Sequence, residues 1–297
     1  NAGAGRVETD DAGAPVYLFS APGRTELGGN HTDHNAGRVL AASVDLDTVA
    51  AARARRDSVV RMVSEGFNEP IEVDLSRLDP ALSEQGTPSA LVRGVAAFFE
   101  ENGRSVGGFE ARVESRVQPG SGLSSSASFE VLVGTILSFL YNDAALTPVE
   151  IARAGRHAEN AFFGKPCGLM DQIACATGGV VAIDFEDEEA PQVERMKVSL
   201  REHGYVLCAV NTGESHVDLT DDYASVVSET QADAGAFGAN KLREIPYESF
   251  RSRVAELHDT VGDRPLLRAL HFYWENERVV RQSRMLSDGH IEGFLAE

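Results

Sequence analysis

The sequence predicts an α+β chain arranged in two lobes. Strand-like and helix-like segments alternate without a strict βαβ order, a glycine- and serine-rich loop feeds a segment that is apolar on every side, and 297 residues suffice for roughly two domains. The boundary is expected near residue 176, with an N-terminal domain over 15–176 and a C-terminal domain over 177–297.

The opening "NAGAGRVETDDAGAP" is small and polar, and residues 1–14 read as a tag or a disordered arm. A short apolar run from Val16 to Phe19 leads into the Pro22-Gly23 turn. The β-branched and alternating patterns of "RVLAASVDLDTVAAARARRDSVVRMVS" predict several strands forming an antiparallel ribbon. "SALVRGVAAFFEENG" reads as an amphipathic helix of about three turns stopped by Gly103, and "GGFEARVESRV" as a half-buried strand with Phe109, Ala111 and Val113 on one face. In "QPGSGLSSSASFEVLVGTILSFLY" the loop gives way to a buried helix. A further helix starts at Thr147-Pro148, where threonine caps and proline takes the first turn, and runs past Glu159. "GLMDQIACAT" predicts a short helix, "GGVVAIDF" and "YVLCAVNT" predict strands, the acidic "EDEEAPQVE" between them reads as a solvated hairpin turn, and helices fill much of 219–297.

A formal charge of −19 and a pI near 4.8 argue against nucleic-acid and anionic-membrane partners, which most of the surface would repel. Any phosphate must be held locally. Cys167, Cys175 and Cys208 are an odd set without zinc-type spacing, which fits a reducing compartment better than a disulfide framework, so a cytoplasmic location is expected. No apolar stretch approaches the length of a membrane span. Nothing sets the oligomeric state, for which a monomer is the default.

Three stretches carry candidate chemistry. In "PGSGLSSSAS", Pro119 to Ser128, glycines let the backbone approach a phosphate, and a helix starting among serines offers unpaired N–H groups and the positive end of its dipole. The Lys-Ser/Thr pair of the common P-loop is missing, so positive charge must come from a metal or a distant arginine. Ser126 is a candidate oxygen ligand for Mg²⁺; the structural alternative is a Gly/Ser turn with a serine N-cap. In "AENAFFGKPCGLMDQ", Glu159, Asp171 and Gln172 stand among apolar neighbours, where a carboxylate needs a partner or a function. Either carboxylate suits a magnesium ligand or a base, and either equally suits a helix cap. Arg24, after the Pro-Gly turn, is placed to neutralise a phosphoryl group in transfer. In the following "GGNHTDHNAG", His31, Asp33 and His34 leave three alternatives open: a metal cluster, for which no further ligands are evident, a structural turn, or a polar clamp for a ligand.

Taken in order, "GRTELGGNHTDHNAG", "PGSGLSSSAS" and "GKPCGLMDQ", with "LVRGVAAFF" and "NTGESHVDLTDDYASV", resemble the galactokinases of the GHMP sugar kinase family. The resemblance covers most of residues 16–297. It implies a two-lobed GHMP kinase fold, with a ribosomal protein S5 domain 2-like N-terminal lobe and an incomplete α+β C-terminal lobe, and ATP-dependent phosphorylation of galactose at the anomeric hydroxyl. It implies Asp171 and Arg24 as catalytic residues, and Asn30, His31, Asp33, Gly168, Asp171 and Tyr223 as sugar-binding residues. ATP would be bound by Pro119, Gly120, Ser121, Gly122, Leu123, Ser124, Ser125, Ser126 and Ala127, and Mg²⁺ by Ser126 and Glu159. Its partners would be galactose and MgATP.

Two departures stand out. Asn30 occupies the place where galactokinases usually carry glutamate, which removes a charge from the sugar site. The family's third, glycine-rich motif is not found, so the chain is expected to be the N-terminal portion of a longer protein or a natural truncation. The alternatives are an N-acetylhexosamine or other sugar kinase of the same family, or a non-catalytic sugar and nucleotide sensor.

Overall fold

The computed structural model describes residues 3–9, 15–65, 69–210 and 220–297. It is a mixed α+β structure that divides into two compact units, each discontinuous in sequence: Asn1–Thr25 with Ser43–Gly179, and Glu26–Ala42 with Val180–Glu297. A single cut near residue 176 describes only the last crossing of the chain. The other two fall inside long strands, where local sequence gives no linker to read.

The first unit contains β1 (Gly3–Thr9), β2 (Pro15–Gly28, as far as Thr25), β3 (Arg38–Ala54, from Ser43), β4 (Val59–Ser64), β5 (Ile71–Asp74), α1 (Pro88–Glu101), β6 (Phe109–Ser115), α2 (Ser125–Tyr141), α3 (Pro148–His157), a π-helical turn over Ala158–Phe163, and α4 (Met170–Thr177). Its strands lie in the order β1-β2-β3-β6-β4-β5. Residues 3–9, expected in a loose arm, pair antiparallel with β2 from Gly3↔Ser20 to Thr9↔Pro15. A strand edge offers unpaired backbone groups to any chain able to extend, so small residues can join it.

The ribbon expected over 38–64 does not form. β6 runs between β3 and β4, antiparallel to the first and parallel to the second. The link between β3 and β4 directs its backbone to β6 instead: Arg55 N donates to Gly108 O at 2.7 Å and Gly108 N to Asp57 O at 3.1 Å. Two-residue hairpin turns favour left-handed pairs such as Asn-Gly or Asp-Gly, and "RRDS" contains no such pair.

Phe19, Met62, Phe99, Phe109, Leu132 and Ile136 are fully buried in one cluster joining strands to α1 and α2. Burying such a side chain contributes about 1.5–3 kcal/mol. The start of α3 is fixed as its sequence suggests: Thr147 Oγ1 accepts from Glu150 N at 3.2 Å, and the Glu150 carboxylate accepts from Thr147 N at 2.8 Å, a reciprocal capping box.

In the second unit, β7 (Val180–Asp184) pairs antiparallel with Arg38–Ala42 of β3 and with β8 (Gln192–Met196). The acidic hairpin is thus present, but its return strand is β8, which lies largely within the acidic stretch. The expected strand "YVLCAVNT" is not formed over 205–210, where Val206 and Val210 are exposed; residues 211 and 212 lie outside the described residues. β propensity makes a strand only where an edge accepts it. Helices α5 (Thr220–Gly235), α6 (Tyr247–Ser252), α7 (Val254–Val261), α8 (Asp263–Ser287) and α9 (Ile291–Ala296) complete the unit. They enclose Leu242, Phe250, Leu257, Phe272 and Tyr273, whose hydroxyl donates to Leu242 O and Ile245 O. Among the described residues no helix is long and apolar enough to cross a membrane.

Candidate active site

The loop from Pro119 to Ser124 curls because Gly120 and Gly122, both at φ 74°, and Ser124, at φ 59°, adopt left-handed backbone. Only glycine does so without strain, and a serine there costs about 1 kcal/mol. Ser124 is the N-cap position of α2, yet its hydroxyl makes no cap bond; it donates to Asp171 Oδ2 at 2.6 Å. The first-turn amides of Ser125, Ser126 and Ala127 therefore open away from the helix, as an anion site requires.

Arg24 is fixed against this loop by its own backbone. Arg24 N donates to Leu123 O at 3.1 Å, and a Cβ on the preceding Gly23 would lie 2.7 Å from the same oxygen, so glycine is required for the approach. The guanidinium donates from Nη1 to Gly122 O at 2.8 Å, and from Nε and Nη2 to Asp171 Oδ1 at 2.9 and 2.6 Å. Asp171, in the first turn of α4, thus has each oxygen held by a different strand or loop of the same unit. Burial alone would push its carboxyl up. The Arg24 charge, the Ser124 and Arg24 hydrogen bonds and the charge of Lys165 outweigh that and hold it below the usual carboxylate range. Its side chain retains 36% of its surface exposed, so a substrate can reach it.

Behind Asp171 lies a buried polar cluster. Gln172, fully buried, donates from Nε2 to Glu130 Oε2 at 3.0 Å and to Glu159 Oε2 at 3.1 Å. Lys165 Nζ donates to Glu159 Oε1 at 3.0 Å. Glu130 and Ser126 stand four residues apart on α2 and so share a face. Burial first, then the Glu159 charge, drives the Glu130 carboxyl well above the usual range. Burial likewise pushes the Cys167 thiol up. Gly155 makes room for the cluster: a Cβ there would lie 2.8 Å from Glu130 Oε2.

The hydroxyl of Ser126 and the carboxylate of Glu159 are hard oxygen donors of the kind Mg²⁺ takes with nucleotide phosphates, and Glu159 already holds a cation, Lys165. The donor chemistry fits the ion. Gly168 lies three residues before Asp171 in the coil ahead of α4.

The second unit carries the "GGNHTDHNAG" loop. Gly29, at φ 83°, passes so close to β3 that a Cβ would lie 2.2 Å from Arg38 O. Thr32 knots the loop, its hydroxyl near Gly29 O at 2.9 Å and Arg38 O at 2.6 Å. His31 is left-handed at φ 56°, and its N–H donates to Glu26 Oε1 at 3.3 Å. Asn30 is exposed, with its carbonyl against His271 Nε2 at 3.0 Å. Asp33 is buried and accepts from His34 N at 3.0 Å. Among the described residues no group of three or more His, Cys, Asp or Glu side chains is placed to hold a metal ion. Tyr223 belongs to α5, and its side chain lies outside the described residues.

Sequence reasoning did not single out Glu130, Lys165 or Glu26. Glu130 leaves one signal, a lone carboxylate inside an otherwise apolar helix. Glu26 leaves none, because its approach to His31 depends on the left-handed turn.

Residues 90–179 match the family model described as the GHMP kinases N-terminal domain, and residues 8–54 match the galactokinase galactose-binding signature. Among solved structures, a Lactococcus lactis galactokinase complexed with galactose is 27% identical, with a TM-score of 0.77 over 97% of this chain and 73% of that one. A Methanococcus jannaschii mevalonate kinase is 15% identical, with a TM-score of 0.54 over 90% and 79% of the two chains. A Streptococcus pneumoniae phosphomevalonate kinase in complex with phosphomevalonate and AMPPNP is 14% identical, with a TM-score of 0.55 over 93% and 76%. The last two likenesses are of fold alone.

Proposed function

We propose that this chain, which belongs to the GHMP kinases, a family of phosphotransferases, is a galactokinase that transfers the γ-phosphoryl group of ATP to the anomeric hydroxyl of galactose. The observation that carries the reading is the Arg24–Asp171–Ser124 constellation at the open N-terminus of α2: a fixed guanidinium and an ionised carboxylate beside an anion cradle. The galactose-binding signature over residues 8–54 supports the choice of sugar.

In this reading the loop over 119–127 holds the nucleotide phosphates through the backbone N–H groups that follow Pro119. The C1 oxygen attacks the γ-phosphorus in line, the bond to the leaving ADP oxygen breaks, and the hydroxyl proton leaves toward Asp171 or water. A carboxylate held below its usual range is a weak proton store, and a loose transition state needs little deprotonation before transfer. Asp171 therefore acts chiefly as the acceptor that orients the hydroxyl. Arg24 keeps Asp171 ionised and offsets charge on the group in transfer. Mg²⁺, held by Ser126 and Glu159, would supply charge neutralisation at the phosphates. Asn30, His31 and Asp33, with Gly168 and Tyr223, are assigned to the sugar hydroxyls. Glu26 near His31 restores to that loop a carboxylate that Asn30 lacks.

Asn30 favours one second reading, an N-acetylhexosamine kinase, since an amide side chain can pair with an acetamido group. Incubation of a sugar panel with MgATP, followed by ³¹P NMR of the products, separates the two. Galactose is expected to give an anomeric phosphate; preferential phosphorylation of an N-acetylated sugar would replace this reading with the second.

A further inference from the structure

We propose that Lys165 is a resident counter-ion of Glu159 that a divalent cation must displace, so that metal entry and release of the Lys165 side chain are one event. The proposal rests on the assignment of Glu159 to the metal made above. Only 5% of the Glu159 side chain surface is exposed, and both of its oxygens are engaged, Oε1 by Lys165 Nζ at 3.0 Å and Oε2 by Gln172 Nε2 at 3.1 Å.

The two partners differ in how easily they can leave. Gln172 is fully buried and shares the same N–H₂ group with Glu130 Oε2 at 3.0 Å, so letting go of Glu159 would strand a buried polar group. Lys165 has 59% of its side chain exposed, and its ammonium can pass into water at little cost. A cation arriving from solvent thus reaches Oε1, the oxygen that Lys165 occupies. A dication bound there and an ammonium 3.0 Å from the same atom repel each other strongly, and the mobile monovalent partner gives way. The backbone stays in place, because Gly164 N and Lys165 N both donate to Glu159 O at 3.0 Å. The freed lysine remains at the rim.

Mn²⁺ binding to the full chain without nucleotide, followed by electron paramagnetic resonance, tests this in the wild type, Lys165→Met, Lys165→Arg and Glu159→Gln. Lys165→Met is expected to bind Mn²⁺ ~5-fold or more tightly than the wild type, Lys165→Arg about as the wild type does, and Glu159→Gln is expected to lose the site. In EDTA, Lys165→Met should unfold at a lower temperature and recover more on Mn²⁺ addition than the wild type, since its buried carboxylate has lost its cation. If Glu159→Gln abolishes binding while Lys165→Met binds equally or more weakly, Glu159 is a ligand and the displacement idea alone falls. Mn²⁺ binding unaffected by Glu159→Gln, or no binding to Lys165→Met, overturns the metal assignment and the displacement together.

Discussion

Asp171 stays ionised because the Arg24 charge and two sets of hydrogen bonds overcome its burial. A carboxyl held low in the fold contributes stability above its unfolded value, lost as pH falls through the folded one, and the ionised carboxylate persists into acid. Removing Arg24 leaves burial as the dominant influence. In Arg24→Ala the acid limb of the kcat profile should therefore move to higher pH, with transfer impaired more than sugar KM; a profile with an unmoved acid limb would contradict the pairing. Asp233 shows the opposite sign. Burial first, then the Glu229 charge, raise its carboxyl to about 6, and neither oxygen has a hydrogen-bond partner among the described residues. The stability it contributes is present below the ordinary value near 4 and is lost as pH rises through about 6. Asp233→Asn should stabilise the chain at pH 8 by on the order of 1–3 kcal/mol and have little effect at pH 4, as thermal unfolding at both values will show. Arg24, Asp171, Ser126 and Glu159 stand out in the sequence because each is polar at a turn or among apolar neighbours, and the fold pairs Arg24 with Asp171 and Glu159 with Lys165. Ser124 was legible only as part of the phosphate loop. Its hold on Asp171 spans 47 residues and depends on a left-handed backbone that sequence does not announce.

At the scale of elements, what holds the site is packing of α1 on the π-helical turn that carries Glu159. Gly94 permits it: a Cβ there would lie 2.5 Å from Ala158 Cα and 2.7 Å from its Cβ. Gly94→Val should destabilise by about 1–3 kcal/mol in denaturant titration and raise the KM for MgATP, because the turn is pushed away; unchanged stability would mean the two elements can separate freely. Helices α1, α2 and α3 were legible since their apolar runs, the Gly103 stop after α1 and the Thr147 cap of α3 are local signals. Strand pairing was not. β6 enters between β3 and β4 from a distance in sequence, and 205–210 has the composition of a strand but forms none among the described residues.

At the scale of the molecule, a charge of −19 gives no general attraction for a nucleotide, so under the proposed function the phosphates would depend on local donors, the loop amides and Arg24. The chain crosses between its two units three times, and two of the crossings fall inside strands, where no local signal marks them. The α+β class was legible throughout, because it follows from the order of local elements. The central claim is that Asp171, gripped by Arg24 and Ser124, is the centre of a sugar kinase. It is tested most directly by galactose-dependent ADP release from the wild type and Asp171→Asn, with galactose affinity measured in parallel. The account predicts that the wild type turns over and that Asp171→Asn binds galactose while losing on the order of 10²-fold or more in kcat. Near-wild-type turnover in Asp171→Asn would contradict it.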